Sequence, residues 1–254
     1  MKQRVISGAI IALVTVLAAY FGGIILKAIL VFTAVWGSYE FISIRKSEFN
    51  IPLYAIMTIS VLITYLFHDY REAVMLVEII FLLSIAVFDE RETFDDACSV
   101  FLMSMMLGNA LYFMSYVQAL NKWMFGYILI AVMLTDTFAL FTGMKFGKHK
   151  LNERVSPKKT IEGFIGGWFF GGLISFIWAC IFKFFGYPAM IFIASSLILP
   201  VVSQIGDLVF SLIKRHYGAK DFSNLIPGHG GILDRLDSNI FSIILFGALM
   251  ILFG

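Results

Sequence analysis

Long apolar runs separated by short polar breaks dominate this chain. Nine such runs cover roughly residues 5–21, 24–42, 51–67, 73–88, 98–120, 123–143, 161–185, 188–213 and 232–254. Crossing the hydrocarbon of a bilayer takes about 20 mostly apolar residues in a helix. Only helices and closed barrels satisfy the backbone there, and unalternating runs of this length mean helices. The pattern therefore predicts an all-α fold, a polytopic transmembrane helix bundle of about nine spans, with the third and fourth the shortest. Charges at Met1–Arg4 precede the first run as they would in a signal peptide. The second run follows at once with no small-residue cleavage site, so a retained first span is expected.

Composition strengthens this reading. The 254 residues are 60% hydrophobic and 14% charged, against about 45–50% and 25% in a soluble domain. A water-soluble fold is excluded, and the lipid bilayer is the expected surrounding. A net charge of +2 gives no global basic field, so nucleic acid is not an expected partner. Cys98 and Cys180 show no metal-ligand spacing.

With the N-terminus inside, the cytosolic segments collect Lys2, Arg4, Arg45, Lys46, Arg91, Lys145, Lys148, Lys150, Arg154, Lys158, Lys159, Lys214, Arg215, Lys220 and Arg235. Only Lys27, Arg71, Lys122 and Lys183 of the 19 basic residues fall on the other side. This bias predicts a cytosolic N-terminus and a C-terminus outside. Residues 1–122 read as a transmembrane scaffold and 123–254 as a catalytic region within one membrane domain. Glu40 and Glu78 are acids inside spans of the scaffold, positions costly in lipid. Glycines at four-residue spacing, Gly163, Gly167 and Gly171, predict a close helix-packing face.

Chemistry-bearing residues gather in two places, both on the cytosolic side. The first runs from Asp136 to Gly163. Its Ser156-Pro157 reads as a helix N-cap followed by proline at the first helical position, with Lys158, Lys159 and Thr160 in the opening turn. Free N–H groups and the helix dipole would make that start an anion site, with Ser156, Lys159 and Thr160 as phosphate contacts. The alternative is a basic loop resting on lipid headgroups.

The second place runs from Ser203 to Ser238. Ser203, Asp207, Ser211 and Lys214 draw a polar stripe along one helix face, which cannot face lipid. Asp234 and Asp237 project from one face at the start of the last span. With Asp207 they offer hard oxygens of the kind Mg²⁺ takes. The alternative is a set of ion pairs with Lys214, Arg215 and Arg235. The turn Pro227-Gly228-His229-Gly230-Gly231 lets backbone approach a ligand closely, and His229 could donate to a phosphate or be simply a turn residue. His68, His149 and His216 lack such company. No acyl-enzyme triad and no zinc spacing is present, so metal-assisted phosphoryl or nucleotidyl transfer suits the residues best.

From Ser211 to Asp237 the chain resembles the bacterial phosphatidate cytidylyltransferases, or CDP-diacylglycerol synthases. The match rests on Ser211, Lys214-Arg215, Lys220-Asp221, His229-Gly230-Gly231, Asp234-Arg235 and Asp237, supported by Asp136, Ala139, Gly143 and Val155–Gly163. Leu140 and Ile161 depart from the pattern, where an aromatic and a tryptophan are expected. The resemblance implies transfer from CTP to phosphatidate, giving CDP-diacylglycerol and pyrophosphate, at the cytosolic face of the cell (inner) membrane. It implies Asp207 and Asp234 as Mg²⁺ ligands, with a monovalent cation such as K⁺ beside them. Lys214, Arg215, Lys220 and Arg235 would serve the phosphates, with Asp221, His229 and Asp237 in the catalytic set. Asp136, Ser156, Lys159, Thr160, Ser211, Gly230 and Gly231 would bind substrate, and a homodimer is implied. Two other readings stay open: a CTP-dependent kinase of a lipid alcohol, and an ion-coupled transporter.

Overall fold

The computed structural model describes residues 2–45, 49–184, 186–226 and 228–253, with side chains from Ser7 onward. The expectations placed on Lys46, on Pro227 and on the side chains of Lys2 and Arg4 lie outside the described residues. Among these residues each of the nine apolar runs forms an α-helix. They are α1 (Lys2–Phe21), α2 (Gly23–Ile44), α3 (Ile51–Leu66), α4 (Arg71–Phe88), α5 (Phe94–Leu120), α6 (Lys122–Phe146), α7 (Ile161–Phe182), α8 (Ala189–His216) and α9 (Leu233–Phe253). Six of them, α2 and α5 to α9, are long and apolar enough to cross a membrane. The 16-residue α3 reaches only about 24 Å, and α4 carries Arg71, Glu72 and Glu78. The chain is a predominantly helical, multi-pass membrane protein.

Polar residues mark the helix starts. Asn50 caps α3 by accepting the Leu53 N–H at 3.1 Å, and Asn121 caps α6 by accepting the Trp123 N–H at 2.9 Å. The expected start of α7 at Ser156-Pro157 is not what the chain does. Lys150–Asn152 (β1) and Ser156–Thr160 (β2) form an antiparallel hairpin, with Lys150 opposite Thr160 and Asn152 opposite Ser156. Helix α7 begins at Ile161, capped by Thr160, whose Oγ1 accepts the Gly163 N–H at 3.1 Å. The reason lies in Glu162, whose carboxylate accepts the N–H groups of Lys148 and His149. That contact ties the preceding loop to the helix start, and pairing with β1 keeps 156–160 extended.

The helices pack as two compact units, Met1–Ser115 with Tyr217–Arg235, and Tyr116–His216 with Leu236–Gly254. In the first, α2 packs on α3 and α3 on α4, around a core that includes Leu30, Phe41, Met57, Val61, Leu82 and Leu107. At one end Arg45, on the residue after α2, pairs with Glu92 and reaches Asp96 at 3.0 Å. Asn50 Nδ2 donates to Glu92 at 2.9 Å. The carboxylates of Glu92 and Asp96 offset the charge of this buried guanidinium through its Nη2.

In the second unit the glycine face of α7 lies directly on α6, as its spacing predicts. A Cβ on Gly163 would stand 2.7 Å from Ala139 O, one on Gly167 2.7 Å from Thr135 O, and one on Gly171 would collide with Thr135 Oγ1. Helix α8 contains Pro200, which lacks the N–H that would serve Ser196 O. Gly172 lets α7 come against that carbonyl, since a Cβ there would lie 2.6 Å from it. Gln204 Nε2 ties the two helices by donating to Phe164 O and Pro200 O, each at 3.1 Å.

Candidate active site

In the second unit the α8 stripe faces protein. Ser203 and Lys214 are buried, and Asp207 and Ser211 are partly so. Lys159 Nζ lies 2.6 Å from Asp207 Oδ2, and Ser211 Oγ donates to Asp207 Oδ1 at 3.4 Å. The strand β2 therefore delivers Lys159 to Asp207. At the α7 start the Thr160 hydroxyl accepts the Gly163 N–H, and Ser156 sits at the opening of β2.

Gly206 brings α8 against α9. A Cβ on it would stand 2.8 Å from Asp237 O and 2.9 Å from Phe241 Cβ. Asp207 and Asp237 accordingly share one neighbourhood, and Lys214 and Asp136 are the other charged groups acting on Asp237. Three acids and two lysines from α6, β2, α8 and α9 form this patch. Carboxylates held together in this way favour cations between them. Arg215 stands exposed at the end of α8.

In the first unit the signature segment after α8 is clamped by three helices. Tyr217 shares a 2.8 Å hydrogen bond with Ser99 of α5, and burial pushes its hydroxyl above the usual tyrosine range. His229, expected to face a phosphate, has its Nδ1 2.8 Å from Ser7 Oγ of α1. Glu40 of α2, fully buried, accepts the Ser223 hydroxyl at 2.6 Å and the N–H groups of Ile232 and Leu233, each at 2.9 Å.

Asp234 Oδ2 accepts the N–H of Phe222 at 2.8 Å and of Gly231 at 2.9 Å, and the residue is buried. The glycines of the turn serve these two carboxyls. Gly230 adopts φ +80°, and a Cβ there would stand 2.7 Å from Asp234 Oδ2, while one on Gly231 would collide with the Glu40 carboxyl. Lys220 and Asp221 are exposed in an open polar recess with Ser43, Ser223 and Asn224, and Arg235 is exposed.

Among the described residues no group of three or more His, Cys, Asp or Glu side chains is arranged to hold an ion unaided. Mg²⁺ usually takes one or two carboxylates and completes its shell with water and substrate phosphates. Asp207 and Asp237 fit that demand. Asp234, the partner of Asp207 implied by resemblance, has its Oδ2 engaged by the N–H groups of Phe222 and Gly231. Glu40, Ser7, Ser99 and Glu162 were not assigned to the site from sequence. Glu40 carried a signal as an acid inside a span, and Glu162 lies in the Val155–Gly163 segment that resembles the family.

The fold is that of an integral membrane protein whose second unit carries a patch of acids and lysines. The sequence profile of the Cytidylyltransferase family matches residues 2–253, and the chain belongs to that family. It is 31% identical to a protein of Bacillus subtilis named phosphatidate cytidylyltransferase, over 95% of this chain and 94% of the relative. Proteins of the same name from Staphylococcus aureus and Staphylococcus haemolyticus are 48% and 46% identical, over 49% of this chain and 48% of each relative.

Proposed function

We propose that this chain catalyses CTP + phosphatidate → CDP-diacylglycerol + pyrophosphate, a step of phospholipid synthesis. The family match over residues 2–253 carries the reading, and the patch of Asp136, Lys159, Asp207, Lys214 and Asp237 suits it chemically. A phosphatidate oxygen attacks the α-phosphorus of CTP, the bond from that phosphorus to the bridging oxygen breaks, and pyrophosphate leaves. Both reactants are anions, so cationic side chains are needed to bring them together and to stabilise the leaving group. Lys214, Arg215, Lys220 and Arg235 fill those roles. Asp207, with Asp237 beside it and Asp234 at the start of α9, offers hard oxygens to Mg²⁺, which when bound neutralises the triphosphate.

The proposed setting is the cell membrane, with nine crossings, the site facing the cytosol and the chain working as a homodimer. Several segments assigned to the cytosolic side meet one another: Arg45 meets Glu92 and Asp96, and Tyr217 meets Ser99. Those pairings fit one common side for these segments, and the basic-residue bias is what assigns that side to the cytosol. Purified protein given labelled CTP, Mg²⁺ and phosphatidate should release pyrophosphate and form CDP-diacylglycerol, and diacylglycerol should not substitute. Release of CDP from diacylglycerol would make it a lipid kinase. No turnover with either lipid, in folded protein, would return the ion-coupled transporter to consideration.

A further inference from the structure

The first turn of a helix has N–H groups with no partner in the helix itself. At the start of α9 two of these, on Ile232 and Leu233, are taken by a side chain from a distant part of the sequence, the Glu40 carboxyl of α2. Its Oε1 also accepts the Ser223 hydroxyl. One turn earlier on α2, Gly37 leaves room for Leu233, whose Cδ2 would be 3.3 Å from a Cβ there. Gly231 passes so close to the Glu40 carboxyl that no side chain fits between them. Asp234 then closes the other side of the loop through Phe222 and Gly231.

We infer that Glu40 is a positioning residue for the reaction: it caps α9 from α2 and thereby fixes where Asp234 and Arg235 stand. It touches no reacting atom and acts through the backbone that carries those two residues. The inference rests on the cytidylyltransferase reading of the signature segment. Its chemistry also explains the loop. A carboxylate at a helix start is favoured by the dipole, and it occupies the place where a phosphate would otherwise bind, leaving substrate to the lysines and arginines. Glutamine at this position keeps the reach but turns one acceptor into a donor facing an N–H group.

The test uses full-length protein in detergent or vesicles. Glu40→Gln should reduce kcat with CTP and phosphatidate by about 100-fold, as misplacement of catalytic groups by about 1 Å does. KM for CTP should stay within about threefold, and hydrogen exchange across 222–233 should accelerate while α6–α8 stay protected. Ser223→Ala keeps both backbone bonds to Glu40, so its kcat should stay within about threefold of wild type. The inference is overturned if Glu40→Gln keeps wild-type kcat per folded molecule, if exchange at 222–233 is unchanged, or if Ser223→Ala loses as much as Glu40→Gln. Exchange is read without turnover, so a wild-type protein that is inactive with both lipids would sink the functional reading separately.

Discussion

Gly206 offers the sharpest test of how the acidic patch is built. Substituting alanine would place a Cβ 2.8 Å from Asp237 O and 2.9 Å from Phe241 Cβ. The carbonyl belongs to α9 backbone, so relief requires the helices to part by a few tenths of an ångström. Alanine gains about 0.5–1 kcal/mol over glycine in a helix interior, and overpacking costs about 1–3 kcal/mol. The net expectation is a loss of about 1 kcal/mol, within a range of about 0–2.5 kcal/mol, with turnover falling roughly tenfold as Asp237 moves from Asp207. Gly126→Ala is the control, because its Cβ would meet only Trp178 Cζ2, at an ordinary 3.5 Å. It should be neutral or stabilising. Thermal unfolding and steady-state turnover with CTP and phosphatidate measure both effects. Wild-type stability and turnover in Gly206→Ala would refute the claim that close α8–α9 contact assembles the patch.

Three further outcomes are expected. Asp207→Asn and Asp234→Asn should each lower turnover by more than about tenfold, or 1.4 kcal/mol of barrier, in protein that still inserts; a smaller loss for either removes it from the essential set, and Mn²⁺ titration reports on ion binding apart from activity. A reporter fused after Gly254 should behave as extracytoplasmic and one near Lys150 as cytosolic, and the reverse would overturn the sidedness of the site. Asp89, next to α4, is held at about 2 against an ordinary 3.8, chiefly by hydrogen bonds from the Arg91 side chain. Because the folded value is depressed, its contribution to stability is complete above about 3.8 and is lost as pH falls towards about 2; Arg91→Ala should move the NMR titration of Asp89 up, and an unmoved midpoint would exclude the pairing.

Sequence alone determined the helices and where polar residues gather along them. Apolar runs near span length leave the backbone no option in lipid but the helix, so all nine runs appear as α1 to α9 with boundaries shifted by a few residues. The α8 stripe and the Gly163–Gly167–Gly171 face were legible because both follow helical periodicity within one segment. The α7 start was not. Ser156-Pro157 has the local form of a helix opening, but Glu162 binds the loop before it, and a contact between segments outweighs a local preference. Tertiary structure alone decided where the polar groups go. No spacing rule couples residue 40 to residues 223–233, or residue 159 to residue 207, because such pairs form only when separate helices pack. Which carboxyls lie against Gly230 and Gly231, those of Asp234 and Glu40, rests on which side chain approaches and not on the glycine itself.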